Sequence, residues 1–365
     1  MAMAAAASFF LISFQKDIKT MATEEIVAEK TASVNAERKG GAAGYVFTLS
    51  NQTAGNNVLI YLRKADGTFT CLSSKPTGGT GTGGGLGNKG AVVLSENNDL
   101  LLAVNAGSNS VSSFIASGVG LQSVSTVSSG GTMPVSVTVH DGLVCVLNAG
   151  GSGNISGFNL HAGGSLRAIA GSSRPLSTTS AGAAQISFVA DGKVVAITEK
   201  ATNKIITYTI NANGTPVIMH ALTSVRPTPF GFAVGKNGII YVSEAVGGVP
   251  GASNVSSYYI SNYGMIALVD GPVVTSQSAA CWVVVTNNGK YVYVTNTNSD
   301  NISSFSAGKA GALDLLHAIA ATTDAGPIDA ALSNNSKFLY VLNSGNESIN
   351  ASLQIMMEAL VIFKM

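Results

Sequence analysis

Short apolar runs recur along this chain, and each ends at an amide or carboxylate residue that precedes a small polar turn. In one copy, residues 101–104 lead to Asn105, a turn follows, and a second apolar segment begins at Val111. Runs of strand-forming residues bounded by turn residues predict two antiparallel strands joined by a tight turn. The polar residues that end the seven runs are Asn51, Asn105, Asn148, Glu199, Glu244, Asn296 and Asn343.

The spacing of these runs predicts the fold. Consecutive polar end residues lie 43 to 54 residues apart, and a four-stranded propeller blade takes roughly 40–50 residues. We therefore expect an all-β, seven-bladed β-propeller of four-stranded antiparallel blades over residues 44–365. Asp191-Gly192 and Asn288-Gly289 are expected to form the tight turns between the first and second strands of their blades. No innermost strand precedes the first copy, so the closing blade is expected to be shared between the N- and C-terminal segments.

Residues 1–43 lack the repeat and are expected to be a disordered or leader segment. Their apolar run, residues 4–14, is too short to span a bilayer. No basic residue precedes that run, and Gln15-Lys16-Asp17 stands where a secretory signal peptide would have small residues at its cleavage site. A cytoplasmic location is therefore favoured. The alternative is secretion with residues 4–14 as a signal h-region, which the chain's Asn-x-Ser/Thr triplets would suit. We favour a compositional origin for these triplets, because β-turns are rich in Asn and Ser.

Charge excludes one class of partner. Charged residues make up 11% of the chain, with 20 Lys and Arg against 19 Asp and Glu. A chain with so little net charge creates no field to hold a polyanion, so nucleic-acid binding is not expected. The sequence also has no H-x-H, HExxH or paired CxxC motif, so no metal and no other cofactor is predicted.

The repeats resemble a known family through residues 102–109, 146–155, 293–296 and 340–343. The chain is similar to the seven-bladed β-propeller lactonases, a family that includes 6-phosphogluconolactonases and 3-carboxy-cis,cis-muconate lactonizing enzymes. The resemblance covers about residues 44–350. It implies metal-free opening or closing of a lactone by Arg, His and Glu side chains. Where one branch has Gly-Pro-Arg-His, this chain has Gly182-Ala183-Ala184-Gln185, and a Pro-His-His element is matched by Pro134-Val135-Ser136.

Propellers of this kind bind ligands at one end of the central channel, here called the channel mouth. The loops that enter the inner strands and those that leave the second strands meet there. Entering loops offer Lys89, Gln185, Arg226, Trp282 and Asp329, and leaving loops offer Asn105, Asn148, Glu199, Glu244, Asn296 and Asn343. We expect all of them to line a site for a small carboxylated or phosphorylated ligand.

Three of these residues are the catalytic candidates. Arg226 is expected to hold the anion, because guanidinium groups pair with carboxylates and phosphates. Glu199 and Glu244 are expected to transfer a proton. The alternatives are that Arg226 is an exposed loop cation and that each Glu caps a turn as Asn does. Trp282 is either a wall for a ring substrate or a residue of inter-blade packing.

The glycine-rich residues 78–90 contain a GxGxxG match at Gly79, Gly81 and Gly84. No helix follows, so a dinucleotide site is not expected. The stretch is expected to be a mouth loop whose N–H groups could meet an anion. Together these features predict hydrolysis of a sugar lactone or cycloisomerisation of a muconate-type carboxylate. The alternative is a catalytically silent propeller that binds a ligand or a protein.

Overall fold

The computed structural model describes residues 42–117, 120–354 and 360–363. Within these ranges the chain forms seven antiparallel sheets, which we number as blades 1 to 7 in chain order. The strands of the first three blades are β1 Ala42–Leu49, β2 Asn57–Lys64 and β3 Phe69–Pro76; β4 Val92–Leu94, β5 Leu100–Asn105, β6 Ser110–Ser117 and β7 Gly120–Ser128; and β8 Thr132–His140, β9 Leu143–Gly150, β10 Asn154–Leu160, β11 Leu166–Ala168 and β12 Arg174–Pro175.

The remaining four blades each contain four strands. They are β13 Ala183–Val189, β14 Val194–Glu199, β15 Lys204–Ile210 and β16 Pro216–Thr223; β17 Pro229–Val234, β18 Ile239–Glu244, β19 Asn254–Ile260 and β20 Ile266–Val274; β21 Ala280–Val285, β22 Tyr291–Asn296, β23 Asn301–Ala307 and β24 Leu313–Thr322; and β25 Pro327–Leu332, β26 Phe338–Asn343, β27 Ser348–Gln354 and β28 Leu360–Phe363. One 3-10 turn, Val246–Gly248, is the only helical element in the described residues. The predicted all-β, seven-bladed fold is confirmed.

Strand order within each blade follows the chain, so the blades are successive hairpins. In blade 3 the short strand β12 pairs with β10 beside β11. The second strand ends at the predicted polar residue in blades 2, 4, 5, 6 and 7. In blade 3 it runs two residues beyond Asn148 to Gly150. The hydrophobic repeat therefore set the register of the blades as well as their number.

Apolar side chains from neighbouring blades pack against one another and form the walls of the ring. Leu147 and Ile155 of blade 3 lie in one cluster with Ile186 and Ile197 of blade 4, and all four are almost fully buried. Similar clusters join blades 1 and 2 and blades 5 and 6. Full burial of one such side chain contributes roughly 1.5–3 kcal/mol, so each blade depends on its neighbours for a core.

The predicted sharing of the closing blade is not what the structure shows. Strand β28 pairs with β27, so the C-terminal strands complete blade 7. Blade 1 has three strands in the described residues, all from the N-terminal side. Blades 7 and 1 instead meet through side chains: the Tyr340 hydroxyl donates to the Gly67 carbonyl at 2.9 Å, and the Tyr340 ring lies 5.7 Å from that of Phe69. Side-chain packing between blades 7 and 1 therefore stands in place of the expected shared blade.

The N-terminal segment predicted at residues 1–43 lies outside the described residues, apart from Ala42 and Ala43, which begin β1. In the part of the chain that the structure describes, no helix combines the length and the apolar character that crossing a membrane requires.

Candidate functional site at the channel mouth

Strand pairing places the predicted site residues at one end of the ring. The first residue of an inner strand pairs with the last residue of the second strand: Pro229 with Glu244, Ala280 with Asn296, and Pro327 with Asn343. Loops that enter inner strands and loops that leave second strands therefore share the mouth face. Side-chain direction then separates the predicted residues into two groups.

The residues that end the second strands have buried side chains. Asn105, Asn148, Glu199, Glu244, Asn296 and Asn343 are fully buried. Asn296 is typical: its Nδ2 donates to Asn301 Oδ1 at 2.8 Å and to Ser303 Oγ at 2.9 Å on the third strand. Asn105 and Asn343 make equivalent bonds to their third strands, whereas Asn148 donates to the Ser129 carbonyl. The Oδ1 atoms of Asn148, Asn296 and Asn343 are buried without a hydrogen-bond partner.

Glu199 and Glu244 are likewise engaged by donor groups of the protein. Glu199 accepts hydrogen bonds from the Ser177 N–H at 2.9 Å, from the Ser177 hydroxyl and from Thr202 Oγ1 at 2.6 Å. Three of the roughly four acceptor positions of this carboxylate are thereby used within the protein. The geometry thus favours the capping alternative for Glu199.

Glu244 lies in a closed network of hydroxyl donors. It accepts from Ser224 Oγ at 2.7 Å, Ser256 Oγ at 2.7 Å and Tyr258 OH at 2.8 Å, and the backbone N–H of Arg226 also donates to it. Burial raises the pKa of Glu244, and these hydrogen bonds oppose the rise. Meanwhile the Arg226 side chain is exposed. The two predicted carboxylates therefore lie in buried hydrogen-bond networks, whereas the predicted cation is at the surface.

The entering-loop residues behave differently, because four of them meet inside the ring. Gln185 of blade 4 accepts from the Phe232 N–H at 2.7 Å and donates to the Phe232 carbonyl at 3.0 Å in blade 5. Trp282 of blade 6 donates from Nε1 to the Asn88 carbonyl at 3.2 Å. Lys89 Nζ donates to the carbonyls of Phe232 and Val283. Residues from four blades are thereby connected at the centre.

Lys89 and Asp329 are half-buried, and their opposite charges interact without a direct ion pair between the two side chains. Burial lowers the pKa of Lys89 to about 8, and the charge of Asp329 opposes that shift. Burial likewise raises the pKa of Asp329 to about 6, against the effects of Lys89 and of the Ala330 N–H, which donates to it at 2.8 Å. Perturbed groups in a cleft are candidates for function.

Residues 84–90, which we call the mouth segment, enter the channel after blade 1. The Lys89 N–H donates to the Ala184 carbonyl at 3.1 Å, and Asn88 Nδ2 donates to Ala183. Lys200 Nζ donates to the Gly87 carbonyl at 2.7 Å and lies 4.8 Å from the centre of the Phe230 ring. The predicted mouth loop is therefore fixed by the protein itself.

A group of cations lies beside this segment on blades 4 and 5. We call Lys200, Lys204 and Arg226 the basic patch. Asn203 ties their loops together, accepting from the Ser224 N–H and the Thr228 N–H, each at 2.8 Å. The nearby carboxylates of Glu199 and Glu244 are buried and accept hydrogen bonds from protein donors. Arg226 is exposed, whereas Lys200 is half-buried and burial lowers its pKa. Sequence reasoning identified Arg226 but missed the two lysines, although Lys200 directly follows a predicted site residue.

Two features that would hold a metal ion or a dinucleotide can be compared with the described residues. They contain no group of three or more His, Cys, Asp or Glu side chains that could hold a metal ion. The GxGxxG glycines lie in a stretch without regular structure that leads into the short strand β4. The helix N-terminus that a dinucleotide phosphate requires is therefore absent from this stretch.

Comparisons with known proteins agree with the fold. Residues 252–353 match the family model described as "Lactonase, 7-bladed beta-propeller". A search of curated proteins found no match. The periplasmic gluconolactonase of Pseudomonas aeruginosa is 14% identical, with a TM-score of 0.69 over 88% of this chain and 94% of that one.

Two further solved structures are similar. A proposed 6-phosphogluconolactonase from Bacteroides fragilis is 16% identical, with a TM-score of 0.67 over 88% of this chain and 94% of that one. One from Bacteroides uniformis is 19% identical, with a TM-score of 0.66 over 84% and 90%. At such identities the likeness shows the fold alone. The family match over residues 252–353 and the shared architecture confirm that this chain resembles the seven-bladed lactonase propellers.

Proposed function

We propose that this lactonase-type propeller binds a small carboxylated or phosphorylated ligand at its channel mouth and does not turn it over. The basic patch carries this proposal. Asn203 joins the loop that carries Lys200 and Lys204 to the loop that carries the exposed Arg226. The neighbouring carboxylates of Glu199 and Glu244 are occupied by hydroxyl and backbone donors. Positive charge without an exposed counter-charge attracts small anions.

The burial of the two predicted carboxylates supports the proposed absence of turnover. Proton transfer requires a base within hydrogen-bond reach of the substrate. Glu199 and Glu244 are fully buried and engaged by protein donors. Gln185, which stands where the resemblance implies a histidine, binds the backbone of Phe232 through both ends of its amide. The described residues thus support the binding alternative over the two family reactions.

Calorimetric titration of the full-length chain with 6-phosphogluconate and with gluconate tests this function. Arg226→Met removes an exposed charge from the patch, so we expect both affinities to fall by about tenfold, or ~1.4 kcal/mol. Lys193→Met is the matched control, because Lys193 is also exposed but lies at the opposite end of the ring. No binding, or equal effects of the two substitutions, would overturn the proposal.

A second candidate function is lactone hydrolysis with Asp329 as the general base. The position of Asp329 beside Lys89 in the channel favours it, as does a pKa of about 6, which leaves the carboxylate ionised at neutral pH. Assays with 6-phosphogluconolactone and 3-carboxymuconate decide between the candidates. Turnover that Asp329→Asn abolishes would establish the second function; no turnover with either compound supports the first.

A further inference from the structure

A separate cavity of about 530 Å³ lies at the end of the ring opposite the mouth, between blades 4 and 5. Its walls include the turn at Ala190–Gly192 in blade 4, the turn at Lys236–Gly238 in blade 5, and His140 of blade 3. These turns join the first and second strands of their blades. The cavity is therefore separated from the basic patch by the length of the inner strands.

The backbone of the two turns is shaped for close approach by side chains. Gly192 has a φ of +75°, and a Cβ there would lie 2.0 Å from the His140 ring. Gly238 has a φ of +76°, and a Cβ there would lie 3.1 Å from the Tyr259 ring. Only glycine permits both the left-handed backbone and the contact. The two rings can therefore lie across the turns and form part of the cavity wall.

Contacts outside the cavity hold its walls in place. His140 Nδ1 lies 2.5 Å from Glu96 Oε1, and the His140 ring lies 5.8 Å from that of Phe188. Thr207 Oγ1 of blade 4 donates to the Gly264 carbonyl at 2.6 Å, which fixes the adjoining turn of blade 5. The site is thus formed before any ligand arrives, which lowers the entropic cost of binding.

We propose that this cavity binds a neutral polyhydroxylated ring, such as a monosaccharide. Phe188 and Tyr259 line it with aromatic surface, and the Tyr259 side chain is 43% exposed. Asp191 can accept hydrogen bonds from ring hydroxyls, and Asn262 and Lys236 can donate to them. One acidic and one basic side chain leave the lining without net charge. Apolar surface combined with a few converging polar groups is what a small-molecule site requires.

Saturation-transfer NMR on the full-length chain, with D-glucose, D-galactose and D-mannose as probes, tests this site. We expect at least one of the three sugars to bind. Tyr259→Ala should weaken that binding by about tenfold, or ~1.4 kcal/mol, because it removes the exposed aromatic wall. Tyr263→Ala is the matched control: Tyr263 is 78% exposed on the adjoining turn but does not line the cavity.

A second variant keeps the test independent of folding. Asp191→Asn preserves the left-handed turn, which Asn tolerates as Asp does, and should also weaken sugar binding. Arg226→Met should leave sugar binding unchanged, so that failure here is distinct from failure of the proposed anion site. Absence of binding by all three sugars, or equal losses in Tyr259→Ala and Tyr263→Ala, would overturn the proposal.

Discussion

Lys89 carries its positive charge into the centre of the ring, where the carbonyls of Phe232 and Val283 take the place of water around the ammonium group. Three donors on one Nζ can connect several inner strands at once. The loss of hydration disfavours the charged form and lowers the pKa of Lys89. Asp329 partly compensates, so each member of the pair depends on the other for its charge state.

This dependence predicts a pH effect with a defined sign. The folded-state pKa of Asp329, about 6, exceeds the ordinary value of 3.8. The folded chain therefore binds this proton more tightly, and the resulting stability is complete below about pH 4 and lost as the pH rises to about 6. Carboxyl NMR titration should show this group titrating near pH 6, and Lys89→Met should raise its pKa further.

Asp329→Asn is the control for that titration, because it should remove the signal and leave the other carboxyl resonances in place. A titration midpoint at the ordinary value, or no change in Lys89→Met, would contradict the coupling.

At the residue scale, the sequence identified both Lys89 and Asp329 as site candidates. It did not reveal which predicted residues face the channel, because a residue at a strand end can point into the blade or toward the axis. The Asn105 side chain is buried beside its own third strand, whereas the Lys89 side chain reaches carbonyls of blades 5 and 6.

Among the elements, the mouth segment does most to define the site. The sequence predicted a loop whose N–H groups could meet an anion. In the structure, the Lys89 N–H and the Gly87 and Asn88 carbonyls are already bound by other blades. The glycine content of residues 84–90 indicates a flexible backbone. Its position is set by hydrogen bonds to blades 4 and 6, which are distant in the sequence. This part of the site could not be predicted from local pattern.

The contacts of the mouth segment make its stability measurable. Lys200→Met removes the hydrogen bond to the Gly87 carbonyl, which is worth about 1.5–3 kcal/mol for a charged donor. We expect hydrogen exchange at residues 84–90 to accelerate by about tenfold or more, since local opening becomes easier. Lys193→Met is the control and should not change this exchange. Unaltered exchange in Lys200→Met would show that Lys200 does not hold the segment.

For the whole molecule, the repeat of apolar runs and polar end residues determined the ring. The seven copies predicted seven blades, and the strand-end residues Glu244, Asn296 and Asn343 stand at the predicted strand ends. Closure was not predictable in the same way, because the sequence after Asn343 loses the repeat. Its strands pair with each other, and aromatic contacts such as Phe69 with Tyr340 join the two ends of the ring.

The central claim is that a closed ring of seven blades gathers the basic patch at its mouth to bind a small anion. A crystal structure of the full-length chain soaked with 6-phosphogluconate tests it most directly. The account predicts seven radial sheets and an anionic group of the ligand within hydrogen-bond distance of Lys200 or Arg226. An open array of sheets, or a ligand bound only away from the mouth, would contradict it.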